Sequence, residues 1–176
     1  MIVLGISPGV RTLAYCVLLL RPGAEHPEVV DSDLLKGGKP KKGADEKELR
    51  QRSKPHWLTL DVVLRRAADD SGKEPVVMAI GPGPDKEPKL HQFIVRAFLT
   101  GLAEELKAAG LRIVCVNWTT ARELDGVLGG NVTSAVRRAL NKDGRSVIRA
   151  GSAYTLAVGT ALAAVRNPEQ IQRLGA

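Results

Sequence analysis

The stretch Met1-Ile-Val-Leu-Gly-Ile-Ser-Pro-Gly-Val-Arg-Thr-Leu-Ala-Tyr-Cys16 decides the fold of this chain. Residues 2–6 form a continuous apolar run rich in branched side chains, which is typical of a strand buried on both faces. A Pro-Gly pair interrupts the run, and a second apolar run spans residues 12–20. Two such runs around a Pro-Gly turn predict a β-hairpin, with Ser7 at the end of its first strand.

Three later segments complete a predicted sheet. Residues 28–35 predict an edge strand, because polar residues interrupt the apolar ones. Continuous apolar runs at 75–80 and 111–116 have the length of a strand and predict two buried parallel strands. A three-stranded antiparallel meander followed by two parallel strands makes a mixed five-stranded sheet, so the sequence predicts an α/β fold.

Apolar residues at spacings of three and four predict helices that flank this sheet. The clearest spans residues 90–109, and Thr120 with Glu123 forms a capping-box pattern ahead of a shorter helix. The predicted helices cover residues 55–70, 90–109, 120–128, 132–140 and 151–166. Since no repeat or composition boundary divides the chain, we predict a single domain over residues 1–176.

Composition narrows the class of protein. A hydrophobic content of 44% and a charged content of 26% are ordinary for a soluble globular protein. No apolar run approaches the roughly 18 residues of a membrane span, and the apolar start lacks a basic leader, so we expect a cytoplasmic protein without a membrane partner.

Cys16 and Cys115 lie in apolar runs, which predicts reduced core thiols. His26, His56 and His91 are scattered without metal-ligand spacing, so we expect them at the surface.

The net charge of +7 favours a nucleic-acid partner over a basic protein that is merely soluble. An aromatic content of 3% argues against a platform that stacks single-stranded bases. The stretch Lys36-Gly-Gly-Lys-Pro-Lys-Lys42 is a flexible basic loop without an apolar anchor. It is either a solvated linker, which we favour, or an arm that contacts phosphates.

Residues 4–15, Leu-Gly-Ile-Ser-Pro-Gly-Val-Arg-Thr-Leu-Ala-Tyr, resemble the opening of the RuvC-type Holliday-junction resolvases, a family of the ribonuclease H-like superfamily. The predicted order of strands and helices extends the resemblance over nearly the whole chain. It implies a ribonuclease H-like fold in which a mixed five-stranded sheet is flanked by helices. It also implies an endonuclease that hydrolyses phosphodiesters with two Mg²⁺ ions.

The same resemblance implies four metal-ligand positions. The family has an aspartate where Ser7 stands and a glutamate at the position of Gly81, and its closing ligand pair falls on Gly151 and Tyr154. None of these four residues is a carboxylate or a histidine, although Mg²⁺ usually needs carboxylates to hold it. We therefore expect no catalytic residues and no metal cofactor in this chain.

Other carboxylates leave an alternative open. Asp85 and Glu87 follow the fourth predicted strand by a few residues, and Asp31 and Asp33 lie on the predicted edge strand. A metal site rebuilt from these residues would make the chain an active Mg²⁺-dependent junction endonuclease. The sequence favours the inactive form, because assembling a two-metal site from stray carboxylates is improbable.

The leading hypothesis is a RuvC-like protein without catalysis that binds branched or duplex DNA, either a four-way junction or a duplex, or that competes with or scaffolds an active relative. An active resolvase or a helicase is the candidate protein partner. Its candidate DNA contacts, besides the basic loop, are Lys86, Lys89, Arg96, Arg122, Arg137, Arg138, Lys142, Arg145 and Arg149. A third hypothesis is a protein-interaction module that forms a homodimer through the amphipathic helix at residues 90–106. The DNA-binding form is expected to be a homodimer too.

Overall fold

A computed structural model describes residues 1–140 and 152–175 of the chain. Within them, the strands are β1 (Ile2–Ser7), β2 (Thr12–Leu19), β3 (Glu28–Lys36), β4 (Val76–Ile80) and β5 (Ile113–Asn117). They form one sheet in the order β3-β2-β1-β4-β5. Strands β1, β2 and β3 are antiparallel neighbours, and β4 and β5 run parallel to β1. This confirms the predicted mixed α/β sheet.

Helices cover both faces of the sheet. The described helices are α1 (Glu46–Ser71), α2 (Lys89–Ala108), α3 (Ala121–Leu128), α4 (Val132–Ala139), α5 (Ser152–Val165) and α6 (Pro168–Gly175). Because side chains alternate along a strand, Leu4 and Ile6 pack against α1 and α2, whereas Val3 packs on the other side against α3 to α6. The sheet is therefore the middle layer between two hydrophobic cores.

Helix α5 lies directly on β1. Ten of its fourteen residues are buried, so it presents apolar side chains all round and not along one stripe. At the point of contact, a Cβ on Gly5 would overlap the carbonyl oxygen of Ala157 and lie 2.7 Å from the Cβ of Ala161. Only a glycine allows the helix backbone to approach the strand this closely.

Two helix boundaries differ from the prediction. Helix α1 begins at Glu46 and not at Pro55, because the Asp45 side chain caps it by accepting the Glu48 N–H, at 2.8 Å, and burial of Leu49 stabilises the extra turns. Proline is typical of a first helical turn, so Pro55 led to the wrong prediction that the helix begins there. At the other end, Pro168 does begin a helix, α6, where the sequence indicated only a stop.

The structure also bears on the predictions for the capping box, the two cysteines and membrane spans. The capping box of Thr120 and Glu123 is present at the start of α3. Cys16 and Cys115 are both free thiols, of which Cys16 is buried and Cys115 is half-buried. None of the helices in the described ranges is long and apolar enough to cross a membrane. The single-domain and cytoplasmic assignments stay predictions.

Replacing Gly5 by Ala is expected to destabilise the protein. The new methyl group forces α5 away from β1, and such overpacking costs about 1–3 kcal/mol of the free energy of unfolding. Gly101 is a matched control, because it lies within α2 and a Cβ there meets no atom within 4 Å. Gly101→Ala should stabilise by up to about 1 kcal/mol. Urea unfolding measures both, and equal effects of the two substitutions would contradict the close contact at Gly5.

Candidate functional site

The candidate site lies at the edge of the sheet where β1, β4 and β5 end. These three strands are parallel, so their carboxyl ends meet at one edge, where open α/β sheets commonly bind ligands. A cavity of about 230 Å³ opens there. It is lined by Arg11, Thr12, Leu34, Pro84, Lys86, Glu87, Ser152 and Ala153. We call this cavity the crevice.

Ser7 ends β1 beside the crevice but faces the protein. Its side chain is fully buried, and its Oγ donates a hydrogen bond to the Pro82 carbonyl oxygen at 3.0 Å. A hydroxyl bonded in this way stabilises the chain that leaves β4. Ser7 therefore joins two strand ends and presents no carboxylate to the crevice.

Gly81 follows β4 and has no room for a longer side chain. A Cβ at this position would overlap the Oγ1 of Thr160 on α5. Thr160 is itself buried and donates to the Leu156 carbonyl oxygen at 2.7 Å. Tyr154, six residues earlier on α5, is fully buried. Gly151 lies outside the described residues, so three of the four positions implied by the resemblance are placed, and none offers a metal ligand of the preferred kind.

Glu87 is the carboxylate that does reach the crevice. It is only 6% exposed, and its Oε1 accepts the backbone N–H groups of Val10 at 2.7 Å and Arg11 at 3.1 Å. The Nδ1 of His91 lies 3.5 Å from the same oxygen. A buried N–H group left without an acceptor costs about 1–3 kcal/mol, so the Glu87 carboxylate stabilises the turn between β1 and β2.

His56 holds the same turn from the other side. Its ring is 2% exposed, which corrects the expectation of a surface histidine. Its Nε2 lies 3.0 Å from the Val10 carbonyl oxygen. A carbonyl can only accept, so Nε2 carries the proton and the neutral ring is bonded. Burial lowers the pKa of His56, against the opposing effects of the Val10 hydrogen bond and the charge of Glu87.

Arg96, predicted as a DNA contact, is occupied within the protein. Its guanidinium donates to the carbonyl oxygens of Gly81, at 2.7 Å, and Ile80, at 3.4 Å, and to Asn117 Oδ1 at 3.2 Å. Burial lowers the pKa of Arg96, which the charge of Glu123 partly offsets. The Arg96 guanidinium therefore supplies hydrogen-bond donors to the backbone carbonyl groups at the carboxyl end of β4.

The remaining predicted contacts fall into two groups. Five are exposed in the structure and available to a ligand: Lys86, Lys89, Arg122, Arg137 and Arg138. Of these, Lys86 lines the crevice, and Arg137 and Arg138 lie in the last turn of α4. Lys142, Arg145 and Arg149 lie outside the described residues. Sequence reasoning missed Arg11 and Ser152, both in the crevice lining, although Arg11 lies within the opening stretch.

The part of the crevice lining that the structure describes does not fit Mg²⁺. Among the described residues, no three His, Cys, Asp or Glu side chains converge on a point where they could hold a metal. Asp85 is exposed, and Asp31 accepts a hydrogen bond from the Tyr15 hydroxyl at 3.3 Å on the outer strands. Glu87 is the sole carboxylate in the described crevice lining, and two backbone amides occupy its Oε1.

The sequence matches no family model and no curated protein. Among solved structures, the chain is similar to RuvC of Thermus thermophilus, with a TM-score of 0.65, 16% identity and 96% of each chain covered. It is also similar to T. thermophilus RuvC in complex with a Holliday junction substrate, at a TM-score of 0.63, 18% identity and 96% of each chain. The chain has the ribonuclease H-like fold of RuvC. The resolvase of Fowlpox virus, solved with Holliday junction DNA, has a TM-score of 0.47, 9% identity and coverages of 98% and 99%.

His56 is expected to make stability depend on pH. Burial holds its pKa below the ordinary value of 6.5, so the unfolded chain binds a proton at a pH where the folded chain does not. The free energy of unfolding should therefore fall as the pH drops below about 6.5. His56→Gln should show a smaller fall between about pH 7.5 and 5.5 in urea unfolding. The same fall in both proteins would contradict a neutral, buried His56.

Proposed function

We propose that this protein binds branched or duplex DNA and does not cleave it. The absence of cleavage rests on the contact between Gly81 and Thr160, because this contact leaves no space for a carboxylate at the end of β4. Ser7 adds to it, since its hydroxyl is committed to the Pro82 carbonyl. Without carboxylates at these two positions, two-metal hydrolysis of a phosphodiester lacks the ligands that it usually needs.

Exposed positive charges support the proposal that the protein binds DNA. Arg11 and Lys86 line the cavity and are exposed, whereas the Glu87 carboxylate is buried and bonded to the turn. Arg137 and Arg138 are exposed at the end of α4. Phosphate groups are recognised by such accessible cations. A RuvC of the same fold was solved with a Holliday junction substrate, which favours a four-way junction as the branched form.

Dimer formation belongs to the same proposal. Leu90 and Phe93 are 60% and 67% exposed on the first turns of α2. They lie on the face of α2 opposite Leu99, which is buried against the sheet. Two copies of the chain that pair through this face would cover both side chains and present two crevices to the arms of one junction. An active resolvase or a helicase would then supply the step that this chain lacks.

The rebuilt metal site remains the second candidate. Glu87 favours it, because a buried carboxylate reaches the crevice and His91 lies 3.5 Å from its Oε1. Against it, the Oε1 of Glu87 already accepts two backbone N–H groups. Two residues are too few for a two-metal site, so this candidate ranks below DNA binding without cleavage.

DNA binding should depend steeply on salt. If the exposed cations at the crevice and on α4 contact about five phosphates, log K should fall with log salt at a slope of about −4 to −5. Replacing Arg137 and Arg138 together by Ala should flatten the slope by up to about two and weaken all duplex sequences alike. Fluorescence anisotropy with a four-way junction, a duplex and a single strand measures this.

Two results would contradict the proposal. A slope near zero for the unaltered protein would show that its positive charge serves solubility alone, and the interaction module would take first place. Junction cleavage with Mg²⁺ or Mn²⁺, abolished by Glu87→Gln, would establish the rebuilt site. The exposed Asp85→Asn is the matched control, since Asp85 lies two residues away outside the crevice lining.

The dimer has its own test. Sedimentation equilibrium at micromolar concentration should give twice the chain mass of 18.8 kDa. Phe93→Ser should shift the protein towards the monomer, because it removes an apolar side chain from the proposed interface. Leu58→Ser is the control, since Leu58 is 62% exposed on α1. A monomer for the unaltered protein, or equal effects of both substitutions, would overturn the α2 interface.

A further inference from the structure

Positive charge is concentrated in one segment that the proposed function does not use. Residues 36–54, which we call the basic arm, contain eight Lys or Arg and three Asp or Glu residues, so they carry a net +5 of the chain's +7. All eight cationic residues are exposed. They are Lys36, Lys39, Lys41, Lys42, Lys47, Arg50, Arg52 and Lys54. The arm joins β3 to the first third of α1.

The arm begins beside the crevice. Strand β3 ends at Lys36, which pairs with Thr12, and Thr12 lines the crevice. The next residue, Gly37, donates its N–H to the carbonyl oxygen of Arg11 at 2.8 Å, and Arg11 also lines the crevice. The cations of the arm and those of the crevice therefore lie along one edge of the sheet.

The loop of the arm has an apolar anchor, which corrects the expectation of a loop without one. Pro40 is buried, so the loop does have an apolar anchor. The Ala44 N–H donates to the Lys41 carbonyl oxygen at 3.1 Å, and Arg52 of α1 packs against Gly38, where a Cβ would lie 2.8 Å from its Nη1. A preformed loop loses less conformational entropy when it binds a ligand.

The arm is concave and its acidic groups are occupied. A cavity of about 530 Å³ lies between the loop and α1, lined by Gly38, Lys41, Glu48, Gln51, Arg52 and Pro55. Glu46 pairs with Arg50, Glu48 lies 3.8 Å from Arg52, and Asp45 caps α1. Across the described residues, no salt bridge includes any of the six lysines of the arm. Their charges are left for an external anion.

We propose that the basic arm is a phosphate-backbone binding surface for duplex DNA, which extends the contact made at the crevice. This inference rests on the proposed function and assigns its larger charged surface. Lysine ammonium groups contact phosphates without reading bases, so the arm adds affinity for any duplex arm that leaves the crevice and adds no sequence preference.

The test removes two exposed cations from the loop and two from elsewhere. Lys41→Gln with Lys42→Gln alters the arm, and Lys73→Gln with Arg66→Gln is the matched control of equal charge. Lys73 and Arg66 are exposed near the opposite edge of the sheet, where Lys73 precedes β4 and Arg66 lines a cavity with Ile2 of β1. The arm variant should flatten the salt slope on duplex DNA by about 1.8, and weaken binding at least about 10-fold at near-physiological salt. The control should change both quantities much less.

The outcomes separate this inference from the proposed function. If the unaltered protein binds DNA and the arm variant matches the control, the arm proposal is overturned while DNA binding stands. If the unaltered protein binds no DNA, the proposed function fails and the arm proposal fails with it. A loss in the arm variant that exceeds the loss in the control, with unchanged urea unfolding in both variants, supports the arm as a binding surface.

Discussion

The contact between α5 and β1 at Gly5 is the constraint on which the rest of the structure depends. Because glycine has no Cβ, the backbone of α5 reaches the central strand, and a largely apolar helix is buried against the sheet. The same closeness brings Thr160 against Gly81 at the end of β4. One packing arrangement therefore completes the core and removes the space for a longer side chain at Gly81.

Titratable side chains at the strand ends form hydrogen bonds with the protein's own backbone. Glu87 accepts two N–H groups of the β1–β2 turn, His56 donates to a carbonyl of that turn, and Arg96 donates to two carbonyls at the end of β4. Buried backbone groups need such partners when no neighbouring strand supplies them. Residue types that serve catalysis in many enzymes thus stabilise the rim of the crevice in this one.

The cations that face solvent differ from these hydrogen-bonded groups, because they are available to an external ligand. Exposed lysines and arginines lose little solvation when they meet a phosphate, and their effect is collective and sensitive to salt. In this chain, exposed cations lie in the crevice, on α4 and in the basic arm as well as near the opposite edge of the sheet, and the arm carries a net +5 of the chain's +7. A broad charged edge of this kind supports the DNA binding that we propose.

The sequence by itself determined the strands, most helices and the order of elements, because apolar periodicity and turn residues act locally along the chain. It also determined that Ser7, Gly81 and Tyr154 bring no carboxylate to the site. Only the tertiary structure decided that His56 is buried, that Glu87 supports the turn, and that the loop after β3 is anchored. These outcomes depend on partners far apart in sequence, such as Val10 with Glu87, 77 residues away, and no local pattern records such a pairing.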